Sequence, residues 1–319
     1  MEGKGVTRRQ FIKYAGATAA LLGLSQSLVP EIARALEELS SGKPPVLWIQ
    51  GQNCTGCSIS FLNTNFPNVA ELVLDKLSVR YHPNVMAAAG DLAFGVLEET
   101  AKELAGKYVL VVEGPVPTEE GGEFCTFGLE KETKDFKAED GTVYRRRKDK
   151  PMIAWMEELV PKAAAVVAIG NCAAFGGIPA ANASVTGTKP VQEVVAGIDK
   201  NKAVVNVGGC PPHPDWIVWA VVQILLNKAV TLDTFGRPTA LYGKKIHDVC
   251  PRKGTGEVNQ FGLATGCLKS LGCKGPNTKA NCPTLKWHNG VNWCIGAGAP
   301  CMGCTEPTFP IATPFYKNV

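Results

Sequence analysis

Twelve cysteines in a chain of 319 residues are too many to be incidental, and what they bind decides what the chain can fold into. They are Cys54, Cys57, Cys125, Cys172, Cys210, Cys250, Cys267, Cys273, Cys282, Cys294, Cys301 and Cys304. An even number in an exported protein would ordinarily be read as a disulfide framework, and zinc is a further alternative. Three observations favour iron-sulfur ligation. A chain this long, with 45% hydrophobic residues, can bury a large core and has little need of covalent staples. Cys54-Thr55-Gly56-Cys57 and Cys301-Met302-Gly303-Cys304 are both C-x-x-C pairs with glycine beside the second cysteine, where a missing side chain lets backbone amides reach bound sulfide. The N-terminus belongs to the kind of signal that exports proteins already folded around a cofactor.

From residue 46, short β-branched runs alternate with helical stretches, the pattern of an open parallel α/β sheet. Strands are predicted over 46–49, 108–112, 165–169 and 203–207, each running directly into a glycine-containing loop. Helices are predicted over 58–63, 68–74, 90–104, 152–160 and 216–226. The carboxyl ends of parallel strands share one edge, and ligands sit there. Cys54, Cys57, Cys172 and Cys210 follow three of these strands, so they converge at that edge, and four thiolates at one point suit a 4Fe-4S cluster. Beyond about residue 240 the chain is rich in Gly and Pro, and seven cysteines fall between 250 and 304. Such a region buries too little apolar surface to offset its backbone entropy, so metal clusters are expected to serve as its core. The expected organisation is a leader over 1–35, an α/β domain over 36–240 and an iron-sulfur domain over 241–319.

The leader reads as a twin-arginine export signal: Thr7-Arg8-Arg9-Gln10-Phe11-Ile12-Lys13, an apolar stretch from Ala15 to Leu24, then Ala33-Arg34-Ala35 as a small-x-small site with cleavage after Ala35. The chain has 33 basic and 29 acidic residues, and Lys4, Arg8, Arg9, Lys13 and Arg34 lie in the leader against Glu2 and Glu31. The remaining body is near neutral, which argues against nucleic acid as a partner. Arg145-Arg146-Arg147-Lys148 is the one concentrated basic run and reads as a solvated loop, with partner docking as the alternative. No apolar run reaches the roughly 20 residues a membrane span needs. A soluble mature protein without a membrane anchor of its own is expected, although a partner could hold it at a membrane.

Together Cys54-Thr55-Gly56-Cys57, Gly170-Asn171-Cys172, Gly209-Cys210-Pro211-Pro212-His213-Pro214, His247-Asp248-Val249-Cys250 and Leu271-Gly272-Cys273-Lys274-Gly275-Pro276 make the chain resemble the small, electron-transfer subunit of periplasmic nickel-iron hydrogenases over almost its full length. Complex I-type subunits share the flavodoxin-like domain and some of its cysteines but are shorter and lack the cysteine-rich end. The resemblance implies a flavodoxin-like open parallel sheet followed by a mostly irregular iron-sulfur domain. It implies a proximal 4Fe-4S cluster on Cys54, Cys57, Cys172 and Cys210, a distal 4Fe-4S cluster on His247, Cys250, Cys267 and Cys273, and a medial cluster on Cys282, Cys301 and Cys304. Many members have proline after the tryptophan of the medial motif and hold a 3Fe-4S cluster. This chain reads Val291-Asn292-Trp293-Cys294. A fourth thiolate permits a 4Fe-4S cluster of lower potential, and the medial cluster stays 3Fe-4S if Cys294 is not a ligand. That replacement, with the ending Glu306-Pro307-Thr308-Phe309-Pro310, resembles the nickel-iron-selenium branch, whose selenium would lie in the other subunit. Gly56 and Gly177 stand where oxygen-tolerant relatives carry extra cysteines, implying an ordinary proximal cluster. Ser58-Ile59-Ser60 stands where many relatives have a glutamate, so a proton route through that residue does not carry over.

The implied activity is uptake hydrogenase: hydrogen is split in the large subunit of a heterodimer, and electrons pass singly through the three clusters to a periplasmic acceptor. A multihaem cytochrome c is the expected acceptor and a quinone-linked membrane partner the alternative. Within the chain itself no nucleophile-base pair or phosphate loop is evident, and of His82, His213, His247 and His288 only His247 has ligand context. Cys125 falls outside the ligand sets and reads as a buried free thiol. A stand-alone multicluster electron carrier is the competing reading, and a disulfide-stabilised periplasmic binding protein the third.

Overall fold

In the computed structural model residues 43–310 are described, apart from 65, 66, 182, 183, 226 and 227; the export signal and its cleavage site lie outside the described residues. The fold starts from strands that are apolar on both faces. Strand β1 (Pro45–Gln50) sends Val46 and Trp48 to one side and Leu47 and Ile49 to the other, all buried. After helix α1 (Gly56–Leu62), a π-helical turn (Glu71–Lys76), β2 (Ser78–Tyr81) and α2 (Gly90–Glu103), strand β3 (Val109–Glu113) repeats that division. There follow β4 (Thr126–Lys137), β5 (Val143–Pro151), α3 (Met152–Leu159), β6 (Ala165–Ile169), α4 (Gly170–Phe175), α5 (Val191–Ile198), β7 (Val204–Val207) and α6 (Pro214–Leu225).

A sheet with two apolar faces must be covered on both. Phe61 of α1, Leu72 of the π-helical turn and Trp216, Ile217 and Val221 of α6 cover one side. Leu97 of α2, Met152, Trp155 and Met156 of α3 and Val191 and Val195 of α5 cover the other. The five strands run in the order β2-β1-β3-β6-β7, with every pairing parallel. With the β4-β5 hairpin left out of the count this is the flavodoxin-like order 2-1-3-4-5, whose switch point lies between β1 and β3. The α/β expectation is met, and the four predicted strands lie in this sheet.

Other expectations need correction. Strand β2 was not predicted, because four residues at a sheet edge with only Tyr81 fully buried give little pattern. The basic run 145–148 is not a loop. It lies within β5, which pairs antiparallel with β4 to form a long two-stranded arm. Charges on both faces of the arm leave no hydrophobic alternation to read. The helix predicted over 68–74 is present over 69–76, its last six residues π-helical, and α5 was not predicted.

After α7 (Thr239–Tyr242) the described residues are mostly irregular, with short turns at Ile246–Val249 and Lys269–Leu271 and one turn of helix, α8 (Cys282–Leu285). Its few apolar residues, among them Ile246, Leu268, Leu285 and Trp293, join the core beneath Trp216 and Tyr242.

Candidate metal centres

The first centre grows from the carboxyl edge of the sheet. Gln50 and Glu113 are paired at the ends of β1 and β3. Beyond Gln50 the chain turns so tightly that a Cβ on Gly51 would lie 2.3 Å from the Pro115 carbonyl oxygen. Thr55 takes a left-handed conformation, with φ of 63°, and sets Cys57 in the first turn of α1. Cys172 enters from α4, directly after β6, and Cys210 from the loop after β7. Glycines clear the space between them: a Cβ on Gly170 would lie 2.4 Å from Cys57 Sγ, and one on Gly177 2.8 Å from Cys172 Sγ. Both positions have positive φ, so a side chain is disfavoured there twice over.

These four thiols share one electrostatic environment. Burial raises Cys57 well above the ordinary thiol range, and Glu113, Cys172, Cys54 and Cys210 push it further. Cys172 is pushed up to about 11 by burial, with Cys210 and Cys54 adding to it. Buried thiols as crowded as Cys57, Cys172 and Cys210 resist ionising without positive charge nearby, whereas a metal-bound thiol is deprotonated outright. The donor set therefore fits an iron-sulfur cluster, the group that supplies that charge.

Beneath Cys57 lies a group that the sequence reading missed. Glu113, 1% exposed, accepts hydrogen bonds from the Cys57 and Ser58 amides, the Ser58 hydroxyl, Trp48 Nε1 and Gln50 Nε2. His82 is buried, and its Nδ1 accepts from the Asn84 amide at 3.2 Å, which leaves Nε2–H to donate to Ser58 Oγ at 3.3 Å. Burial lowers His82 to about 4, so the ring is neutral. The one sequence signal was a carboxylate closing the otherwise apolar run Val109–Val112.

Two further sets lie in the irregular region. His247, Cys250, Cys267 and Cys273 line one small cavity together with Leu268, Gly275 and Ile295. Cys282, Cys294, Cys301 and Cys304 form the other: burial raises Cys282 well above its ordinary value, followed by the charges of Cys304, Cys301 and Cys294. Burial pushes Cys301 and Cys304 up to about 12. The residues of each predicted set thus lie near one another; the charge of Cys294 reaches Cys282, Cys301 and Cys304, and that of Cys273 in the neighbouring set reaches Cys294. Among the described residues no three His, Cys, Asp or Glu side chains close around a point as a single metal ion would require; His247, Cys250, Cys267 and Cys273 line a cavity instead. Cys125 is half-buried and unpaired with any other cysteine, its thiol pushed up to about 11 by burial.

Residues 54–224 match the family described as NADH ubiquinone oxidoreductase, 20 Kd subunit, and residues 242–316 match the family of the C-terminal region of NiFe/NiFeSe hydrogenase small subunits. Over 322 residues, 98% of each chain, the sequence is 42% identical to the periplasmic [NiFeSe] hydrogenase small subunit of Desulfomicrobium baculatum. The chain belongs to the NiFe/NiFeSe hydrogenase small subunits. It is 37% identical to the periplasmic [NiFe] hydrogenase small subunit 1 of Nitratidesulfovibrio vulgaris, over 99% of this chain and 94% of that one. The crystal structure of the reduced, active Ni-Fe-Se hydrogenase from Desulfomicrobium baculatum superposes with a TM-score of 0.77 at 41% identity, covering 87% of this chain and all of that one. As a hydrogenase small subunit with three crowded cysteine sets, the chain is an iron-sulfur protein.

Proposed function

We propose that this hydrogenase small subunit is the electron relay of a periplasmic uptake hydrogenase, paired with a nickel-bearing large subunit and holding three 4Fe-4S clusters. Cys54, Cys57, Cys172 and Cys210 hold the proximal cluster, Cys282, Cys294, Cys301 and Cys304 the medial, and His247, Cys250, Cys267 and Cys273 the distal. When bound, the clusters supply one-electron oxidation and reduction. The chain sets the order of the relay. Cys304 lies within the field of Cys210, and Cys301 within that of Cys273, which supports a medial set between the other two. Gly170 and Gly177 keep the proximal site clear, and Glu113 orients the Cys57 and Ser58 amides. The observation that carries the reading is the four-thiol grouping of Cys282, Cys294, Cys301 and Cys304.

The domains proposed are an α/β domain over 36–240 and an iron-sulfur domain over 241–319, behind a twin-arginine leader cleaved after Ala35. Among the described residues no helix is long and apolar enough to cross a membrane. A multihaem cytochrome c is the proposed acceptor. Iron and acid-labile sulfide per purified heterodimer, with electron paramagnetic resonance of oxidised and reduced samples, test the reading. Beyond the large subunit's own iron, about twelve iron atoms in three reducible clusters with no oxidised 3Fe-4S signal are expected. About eleven with that signal would remove Cys294 from the medial set, and fewer than three clusters would overturn the relay.

A further inference from the structure

Charge is unevenly shared along the chain. Eight Lys and Arg residues fall between 243 and 310 against Asp248, Glu257 and Glu306, although the body as a whole is near neutral. Two of those three carboxylates are already paired: Glu306 with the buried Arg237, from outside this stretch, at 3.2 Å, and Glu257 with Lys269 at 3.5 Å. The surplus gathers at the cavity of His247 and Cys250. Lys253 and Lys269 line that cavity and are exposed. Lys244 and Lys245, also exposed, lead directly into the turn of His247, where the Asp248 amide donates to the Lys245 carbonyl at 3.1 Å. Lys244, Lys245 and Lys253 enter no ion pair among the described residues.

Two features separate this patch from an ordinary solvated surface. Lys245 and Lys279 stand opposite each other across an isolated antiparallel bridge, a position in which like charges are destabilising. The fold alone gives no reason for that pairing, whereas an anionic surface laid across it does. Val249, beside Cys250, is 43% exposed and puts apolar contact area among the lysines. A small apolar centre within charge of one sign suits a weak, quickly released protein contact, in which charge steers the encounter and fixes its orientation. The basic run of β5 lacks these features: Arg145 lies by Asp135, Arg147 pairs with Asp91 and Lys148 with Glu123.

We propose that the face formed by Lys244, Lys245, Val249, Lys253 and Lys279 docks the electron acceptor, and that the acceptor it fits is a c-type cytochrome with an acidic rim about its exposed haem edge rather than a lysine-rich one. The proposal rests on the cytochrome reading above, in which the His247 set comes last, and adds the charge of the partner. Each crossing takes one electron from that set to one ferric haem, which becomes ferrous; no bond forms or breaks and no proton moves. Because the charges are exposed, they act on the rate of encounter and on its salt dependence more than on affinity, so the second-order rate constant is the quantity to read.

The test uses the intact heterodimer, reduced with hydrogen and mixed in stopped flow with two multihaem c-type cytochromes of similar potential, one acidic and one lysine-rich. The acidic one should be reduced several-fold faster at low salt, and its advantage should vanish as the Debye length shrinks from about 30 Å at 0.01 M to about 3 Å at 1 M. Lys253→Glu should slow the acidic cytochrome several-fold and speed the lysine-rich one, with iron content and the distal midpoint potential unchanged. Lys244→Glu, outside the lining of the cavity, should do the same and decides the matter if Lys253→Glu loses iron. Equal rates for the two cytochromes, a faster lysine-rich one, or variant effects accounted for by a shifted potential overturn the acidic partner alone. So does retention on phosphatidylglycerol vesicles with no preference between cytochromes, which would make the patch a membrane contact. Reduction of neither cytochrome by a heterodimer that still consumes hydrogen with a dye defeats the cytochrome reading itself, and the docking proposal with it.

Discussion

At the scale of single residues, Cys294 and Glu113 make the sharpest predictions. Cys294 is exposed where Cys282 is half-buried and Cys301 buried, so replacing it disturbs little packing. Cys294→Ser should lower iron by about one atom per heterodimer and bring up an oxidised 3Fe-4S signal; an unchanged iron content would remove it from the ligand set. Glu113→Gln is the harsher change. One amide oxygen cannot serve donors on both sides, so Trp48 Nε1, Gln50 Nε2 or the Ser58 hydroxyl is left facing an NH₂ group. One buried donor without a partner costs about 1–3 kcal/mol, visible as a lower Tm. Removing negative charge beside Cys57 should also raise the proximal midpoint potential, and a redox titration showing a fall would contradict that. Cysteine spacing announced the first of these residues. The second was illegible, because its importance comes from Trp48, Gln50 and Ser58, which only the pairing of β1 with β3 brings to it.

At the scale of elements, the division between legible and illegible follows burial. Strands β1, β3, β6 and β7 are covered on both faces, mostly apolar and ended by glycine-bearing loops, so their β-branched runs could be read directly. The β4-β5 arm is different in kind: beyond its root, where Phe127 stacks on Trp155 at 5.7 Å, its side chains are mostly exposed. The links from the arm to α2 are surface pairs such as Arg147 with Asp91 at 2.8 Å and Lys131 with Glu98 at 3.1 Å. Exposed pairs of this sort contribute about 0–1 kcal/mol each. Replacing residues 131–147 with a short Gly-Asn turn should therefore leave the Tm within a few degrees of wild type. A cooperative loss of the whole fold in thermal denaturation would show that the arm stabilises the sheet.

At the scale of the whole molecule, acid and iron loss should act on different parts of the chain. His82 and His213 are both lowered by burial from 6.5 to about 4, so between those values the unfolded chain binds protons that the folded one refuses. Stability is then full above pH 6.5 and falls as pH drops toward 4, by roughly 3 kcal/mol per histidine. Asp215, raised by burial to about 6, works in the opposite direction and offsets about one of them. A net loss of roughly 3 kcal/mol between pH 7 and 4 is expected, and His82→Gln should flatten the measured dependence. Removing iron should instead divide the molecule. The sheet owes its order to two apolar layers that need no metal, whereas among the described residues the chain beyond Tyr242 has only short turns and isolated bridges and carries eight of the proposed ligands. Stripped of clusters, those crowded sulfurs lose the charge that held them, and little apolar burial remains to offset the backbone entropy. Hydrogen exchange on the iron-free protein should show 45–50, 109–113 and 165–169 still protected and 246–305 exchanging freely. Equal protection in both regions would mean that the iron-sulfur domain folds without its clusters.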